Sequence, residues 1–286
     1  HAPFRRAVTV AGAVVAPASF RVPVGTPFSA LVKAAGGATD ATPRLIRGGP
    51  MMGALVEDEQ DPVTKTDSMI IVLPEHHPVV ARRLRDVQRQ LHLTRSACLK
   101  CMMCTEVCPR NLLGHRLYPD RLMRSLAADV AEDLEAYRGA YLCSECGLCA
   151  VYGCVMNLDP AAVNREMKKR LSAAGIERPE PAEQAERVFG SSRRVPTQRL
   201  VARLGLSDFD REAPERPFAV ELKRLRIPLK QHVGAPARPV VQVGQRVAAD
   251  ALLGEIPEGA LGARVHTGLA GKVINVDATG VSLELE

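Results

Sequence analysis

Residues 98–109 read Cys98-Leu-Lys-Cys101-Met-Met-Cys104-Thr-Glu-Val-Cys108-Pro109, and residues 143–154 read Cys143-Ser-Glu-Cys146-Gly-Leu-Cys149-Ala-Val-Tyr-Gly-Cys154. The first run is C-x2-C-x2-C-x3-C-P. The second is C-x2-C-x2-C-x4-C, with Val155 in place of the closing proline. Together the runs hold all eight cysteines of the chain. Three thiolates spaced two residues apart can wrap one corner of a cubane and bind three of its four irons. The local loop has then turned away, so the fourth iron needs a sulfur from elsewhere.

The first run resembles that of bacterial ferredoxins with paired clusters, where the fourth cysteine of each run crosses to the other cluster. The resemblance implies two [4Fe–4S] clusters. One would sit on Cys98, Cys101, Cys104 and Cys154, the other on Cys143, Cys146, Cys149 and Cys108. Structural zinc is the first alternative, but it prefers isolated C-x2-4-C pairs or mixed cysteine and histidine sets, which leaves the third cysteine without a role. Four disulfides are the second, but a C-x2-C bridge closes a very tight loop.

At 286 residues the chain suits two or three modest domains. Its 46% hydrophobic content is ample for packed cores, while 3% aromatics and no Trp exclude a large aromatic core. Cysteines confined to ligand runs argue for a reducing cytoplasm. No signal peptide and no apolar run of transmembrane length are visible, so direct membrane insertion is not expected. The chain opens at His1 without a methionine, as a fragment or processed chain does. The formal charge is +6. Each oxidised cluster with its thiolates carries about −2, which brings the loaded chain to about +2. Scattered basic residues and scarce stacking aromatics exclude nucleic acid as a partner and favour a mildly basic docking face.

Residues 1–75 read as strand, strand, helix, strand. Short strands are expected at Ala7–Val10, Ser19–Val22, Arg44–Arg47 and Met69–Leu73. A helix is expected from Phe28 to Ala35, opened by Thr26-Pro27 and stopped by Gly36-Gly37. The stretch around Gly12, Val22-Pro-Val-Gly25-Thr-Pro27 and Leu31–Gly37 resembles the soluble-ligand-binding β-grasp (SLBB) pattern. Gly48-Gly-Pro-Met-Met-Gly53 resembles a motif of the RnfC/PduS family. It lacks phosphate-loop spacing, so it reads as a structural turn or as a docking element for a flavin domain.

Residues 76–216 read as mostly helical. Val80, Leu84, Val87 and Leu91 predict one helix from Pro78 to about Arg95, with an arginine-rich, solvated opposite face. Further helices are expected from Tyr118-Pro119-Asp120 to about Ala131, from Leu134 to Leu142, from Ala161 to Ala174 and from Val195 to Leu206. Lys100 and Arg110 flank ligands, so each is expected to stabilise a reduced cluster and raise its potential. Met102 and Met103 read as apolar cover, and Lys168-Lys-Arg170 as solvated charge. Met156-Asn-Leu-Asp-Pro160, Val163-Asn164 and the x4 gap before Cys154 again resemble RnfC/PduS, the gap pointing towards PduS.

Residues 217–286 read as short strands at Pro239–Gly244, Ala251–Ile256, Ala263–His266, Gly271–Asp277 and Val281–Leu285. They resemble a barrel-sandwich hybrid, and Leu229–Pro236 resembles the corresponding RnfC/PduS stretch. His266-Thr-Gly268 occupies the tip turn without a lysine, so a swinging-arm cofactor is not expected. The histidines fall in no ligand motif.

The fold class expected is therefore α+β and multidomain. It comprises a β-grasp (SLBB) domain at 1–75, an α-helical two-cluster ferredoxin-type domain at 76–216 and an all-β barrel-sandwich hybrid at 217–286. The resemblance implies a relay of electrons from a flavin/NADH module or flavoprotein to an acceptor such as a cobalamin-handling enzyme. The expected setting is the cytoplasm, in a bacterial microcompartment, with a shell protein as a further partner. No glycine-rich nucleotide loop is visible, so FMN and NADH are expected only on an upstream domain outside this chain. A peripheral RnfC-like subunit of a membrane ferredoxin:NAD oxidoreductase, and a module with purely structural clusters, are the alternatives.

Overall fold

The computed structural model describes residues 4–128, 134–180 and 185–285. The chain forms two compact units, one from residues 1–80 with 208–286 and one from residues 81–207.

In the first unit, β1 (Arg5–Gly12), β2 (Ala18–Pro23), α1 (Phe28–Ala34), β3 (Pro43–Arg47), β4 (Ala54–Leu55) and β5 (Met69–Pro74) come from the early chain, and β6 (Glu215–Arg216) from much later. They build one sheet in the order β4-β3-β5-β1-β2-β6, with β1 parallel to β5 and antiparallel to β2. Val8 and Val10 alternate onto the face covered by α1, where Phe28 and Leu31 are fully buried with Phe20 and Val72. Gly12 ends β1 at φ +95°, and a Cβ there would lie 2.1 Å from the Val72 carbonyl oxygen. Only glycine fits. The Gly48–Gly53 motif is the β3–β4 hairpin turn: Gly48 N–H donates to Met69 O (2.8 Å) and Gly53 N–H to Gly49 O (2.8 Å).

The later part of this unit adds β7 (Arg224–Pro228), β8 (Arg238–Pro239), β9 (Arg246–Val247), β10 (Leu252–Glu255), β11 (Val265–His266), β12 (Gly271–Val276) and β13 (Gly280–Glu284). They form sheets β11-β10-β8 and β7-β13-β12-β9 around Leu225, Ile227, Leu253, Val273, Val281 and Leu283. The strand expected over Pro239–Gly244 shrinks to Arg238–Pro239. Val241 still packs into the core, but Val240 and Val243 are exposed, at 50% and 63%, and the ladder pairing stops at Pro239.

The second unit is helical. It contains α2 (Pro78–Arg83, whose first turn belongs to the other unit), α3 (Val87–Ala97), α4 (Met103–Glu106), α5 (Pro109–Leu112), α6 (Pro119–Ala128), α7 (Leu134–Gly139), α8 (Pro160–Ala173) and α9 (Thr197–Leu204). The end of the helix expected to reach Ala131 lies outside the described residues. Leu122, Met123, Ala140, Leu158, Val163 and Leu171 form a buried cluster, against which Cys98 and Cys154 pack.

The single helix expected from Pro78 to Arg95 is two helices. Asp86 breaks it, because its carboxylate caps α3 by accepting from Gln88 N (3.3 Å) and Arg89 N (2.8 Å). Asp86→Ala should therefore cost about 1 kcal/mol of stability. Asp86→Asn should restore most of it, as read by thermal denaturation. Equal loss in both variants would show that capping is not what Asp86 contributes.

Candidate iron–sulfur site

Both cysteine runs use the same curled backbone. Two residues after the first cysteine, Lys100 has φ +57° and Glu145 +59°; four after it, Met102 has +66° and Gly147 +75°. The left-handed conformation costs a non-glycine residue about 1–2 kcal/mol, and here it recurs at matched positions. Such turns aim successive N–H groups into a concavity suited to anions. The Glu145 N–H donates to Cys143 Sγ at 3.3 Å, and the Leu158 N–H donates to Cys154 Sγ at 3.3 Å.

The extra residue of the second run has a local solution. Cys149–Gly153 is a π-helical turn, whose wider winding takes up one more residue before Cys154. In the first run, Cys108 instead precedes α5, and Pro109 takes the first helical position.

All eight cysteines are free thiols. Cys98, Cys101, Cys104 and Cys154 line one apolar recess of about 380 Å³, including its open mouth, with Met102, Asp120 and Met123. Burial pushes the Cys104 thiol up to about 12, helped by Asp120 and by the thiols of Cys154, Cys98 and Cys101. Burial likewise raises Cys108 to about 11. Backbone N–H groups of Asn111 and Arg110 pull it back, while Cys143 and Cys146 push it further up. Cys149 is raised well above its ordinary value by burial and by its neighbours Cys143, Cys108 and Cys104. Cys154 of the second run thus shares a recess with the first three cysteines of the first run, and Cys108 and Cys149 are each close enough to Cys143 to feel its charge.

This arrangement fits a cluster better than a single ion. Among the described residues, no three His, Cys, Asp or Glu side chains meet closely enough to hold one metal ion. Four thiols lining an apolar recess, with an N–H donor at the Cys154 sulfur, suit a larger anionic group.

The charges divide unevenly. Lys100 is exposed at the mouth of the recess. Arg110 turns to His115, Nη1 to Nε2 at 3.1 Å. Lys168, expected to be solvated, instead reaches the second run, donating to Cys143 O (2.9 Å) and Glu145 Oε1 (2.6 Å), while Arg165 Nε meets Glu145 Oε2 at 3.0 Å. The spacing of Arg165 and Lys168 on one face of α8, with a lone glutamate inside a cysteine run, is the signal for this contact. Asp120 was expected only as a helix start. It is buried, accepts from Thr105 Oγ1, and meets Arg124 Nη2 at 2.5 Å. Arg85, placed on the solvated face by periodicity, grips Asn157 through the backbone O (2.9 Å) and Oδ1 (3.0 Å), holding the loop after Cys154.

Three family models match the chain: a 4Fe-4S dicluster domain at 97–159, an SLBB domain at 7–55 and an RnfC barrel-sandwich hybrid domain at 218–284. The chain is 37% identical over 279 residues to the cobalamin reductase PduS of Salmonella typhimurium, covering 98% of this chain and 62% of that protein. It is 36% identical to the PduS of Citrobacter freundii over the same span. The chain belongs to the RnfC/PduS family. A component of the ion-translocating oxidoreductase complex of Rhodobacter capsulatus is a partial relative, 33% identical over 39% of the chain and 20% of that component. The lean towards PduS drawn from the x4 gap agrees with this difference in coverage. The chain carries a 4Fe-4S dicluster domain and spans less than two thirds of the length of its curated PduS relatives. Among the described residues no helix is long and apolar enough to cross a membrane.

Proposed function

We propose that this chain is the relay segment of a cobalamin reductase. It takes electrons from a flavin/NADH module and hands them to a cobalamin-handling acceptor. Cys98, Cys101, Cys104 and Cys154 hold one [4Fe–4S] cluster, and Cys108, Cys143, Cys146 and Cys149 the other. Bound there, each cluster takes up and gives back a single electron. The protein supplies the thiolates, N–H donors that steady negative sulfur, and a largely apolar lining to the first site. The family resemblance supports a three-module reading, with a β-grasp SLBB module at 1–75, the ferredoxin-like module at 76–216 and the barrel-sandwich hybrid at 217–286. It also supports a cytoplasmic setting in a bacterial microcompartment, with FMN on a separate domain.

The observation that carries this reading is the recess lined by Cys98, Cys101, Cys104 and Cys154, since Cys154 arrives there from the other run. Iron and sulfide analysis of anaerobically purified protein should find about eight irons per chain. Dithionite should produce an EPR signal broadened by coupling between neighbouring centres. Stoichiometric zinc without sulfide would overturn the assignment, and clusters that cannot be reversibly reduced would make them structural.

A further inference from the structure

The two cysteine groups sit in different electrostatic surroundings. Beside the first, Asp120 is only 3% exposed, lines the recess, and shares the Thr105 hydroxyl that follows Cys104 in sequence. Its partner Arg124 is 42% exposed, so solvent screens much of the compensating charge, and Lys100 is exposed to solvent. Beside the second group, Glu145 is balanced by Lys168, only 22% exposed, while its other partner Arg165 is 49% exposed and screened by solvent as Arg124 is. Lys168 is the more buried of the two and bonds directly to the backbone of Cys143. Arg82, a further half-buried cation near Cys149, is offset by Asp159, which is close to both.

Reduction adds a negative charge. A buried carboxylate opposes it, and a buried ammonium favours it. We propose that Asp120 makes the Cys98/Cys101/Cys104/Cys154 site the lower in potential, and that Lys168 makes the Cys108/Cys143/Cys146/Cys149 site the higher. The inference rests on the two-cluster reading above. It adds a direction: an electron on the first site passes downhill to the second. Asp120 and Lys168 are positioning residues in this sense, acting on the ligated groups through charge and touching no substrate.

The test is a potentiometric titration followed by EPR on the full chain, purified anaerobically, with iron and sulfide counted first. Wild-type protein without iron and sulfide would overturn the cluster reading itself, and is recognised before any variant is compared. With clusters present, two one-electron waves are expected. Asp120→Asn should raise only the lower wave, by about tenfold in the reduced-to-oxidised ratio at fixed potential, which is about 59 mV for one electron. Lys168→Gln should lower only the upper wave by a similar factor, while Lys168→Arg keeps the charge and leaves it in place. Should Asp120→Asn lose iron, Arg124→Gln replaces it: removing the counter-charge should push the lower wave further down. The proposal is overturned if the carboxylate variant moves the upper wave. It is equally overturned if both variants move one wave, if neither wave moves, or if Lys168→Arg shifts as far as Lys168→Gln.

Discussion

The double variant Cys98→Ala/Cys154→Ala is expected to keep about four irons per chain, whereas Cys143→Ala/Cys154→Ala is expected to keep none. Each single substitution should lose one cluster, about four irons. If Cys154 serves the same site as Cys98, removing both costs nothing beyond the first loss. If Cys143 belongs to the other site, the second substitution removes what remains. Ligands acting as one unit are non-additive, and ligands of separate units add.

The opposite pattern would mean that each run closes on itself. In that case Cys143→Ala/Cys154→Ala would keep about four irons and Cys98→Ala/Cys154→Ala none. The recess favours the crossed result. Cys154 lines it with Cys98, Cys101 and Cys104, and Cys143 does not. The measurement is iron by elemental analysis beside acid-labile sulfide. Cys108→Ala gives a mirror test, since it should pair non-additively with Cys143→Ala.

The iron–sulfur character of the cysteine runs was legible in the sequence because cysteine spacing is a strict local code. The Gly36-Gly37 stop of α1 read correctly for the same reason: cap and turn chemistry is local. What failed was non-local. Val80, Leu84, Val87 and Leu91 keep helical period straight through Asp86, but a carboxylate that can cap two N–H groups outweighs that period, and Leu84 is left 57% exposed. β6 is two exposed residues with no alternation, and it is a strand only because β2 offers a free edge. β7, missed altogether, is defined by its pairing with β13. The charges at the site were misjudged likewise. Lys168 and Arg85 look solvated on a helical projection, yet each is spent on a cysteine-bearing loop that the projection cannot place.

Stripping the iron should unfold the helical unit and spare the sheet unit. Every cysteine lies between residues 98 and 154, inside the unit formed by residues 81–207. In that segment α4 and α5 are four residues each, too short to stand alone. Lys100, Met102, Glu145 and Asn157 are held left-handed at a cost of about 1 kcal/mol or more apiece. Structural metal sites contribute on the order of 10 kcal/mol to folding, comparable with the whole stability of a typical domain at about 5–15 kcal/mol. Amide hydrogen exchange on the chelated chain should show protection lost along α3 to α8 and kept along β1, β5, β12 and β13. Protection retained through 98–154 would refute this dependence. The pH response should change sign with loading. Iron needs thiolates, so acid loosens the loaded form as protons compete for sulfur. Where the stripped unit keeps its fold, burial raises Cys104 to about 12 and Cys108 to about 11 from their ordinary 9.0. Their contribution is full below pH 9 and is lost as pH rises from there through the folded values, because the unfolded chain sheds its protons first. The loaded chain should therefore fail first towards acid, and any residual structure of the stripped helical unit towards alkali. The sheet unit has no cysteine and should follow neither trend.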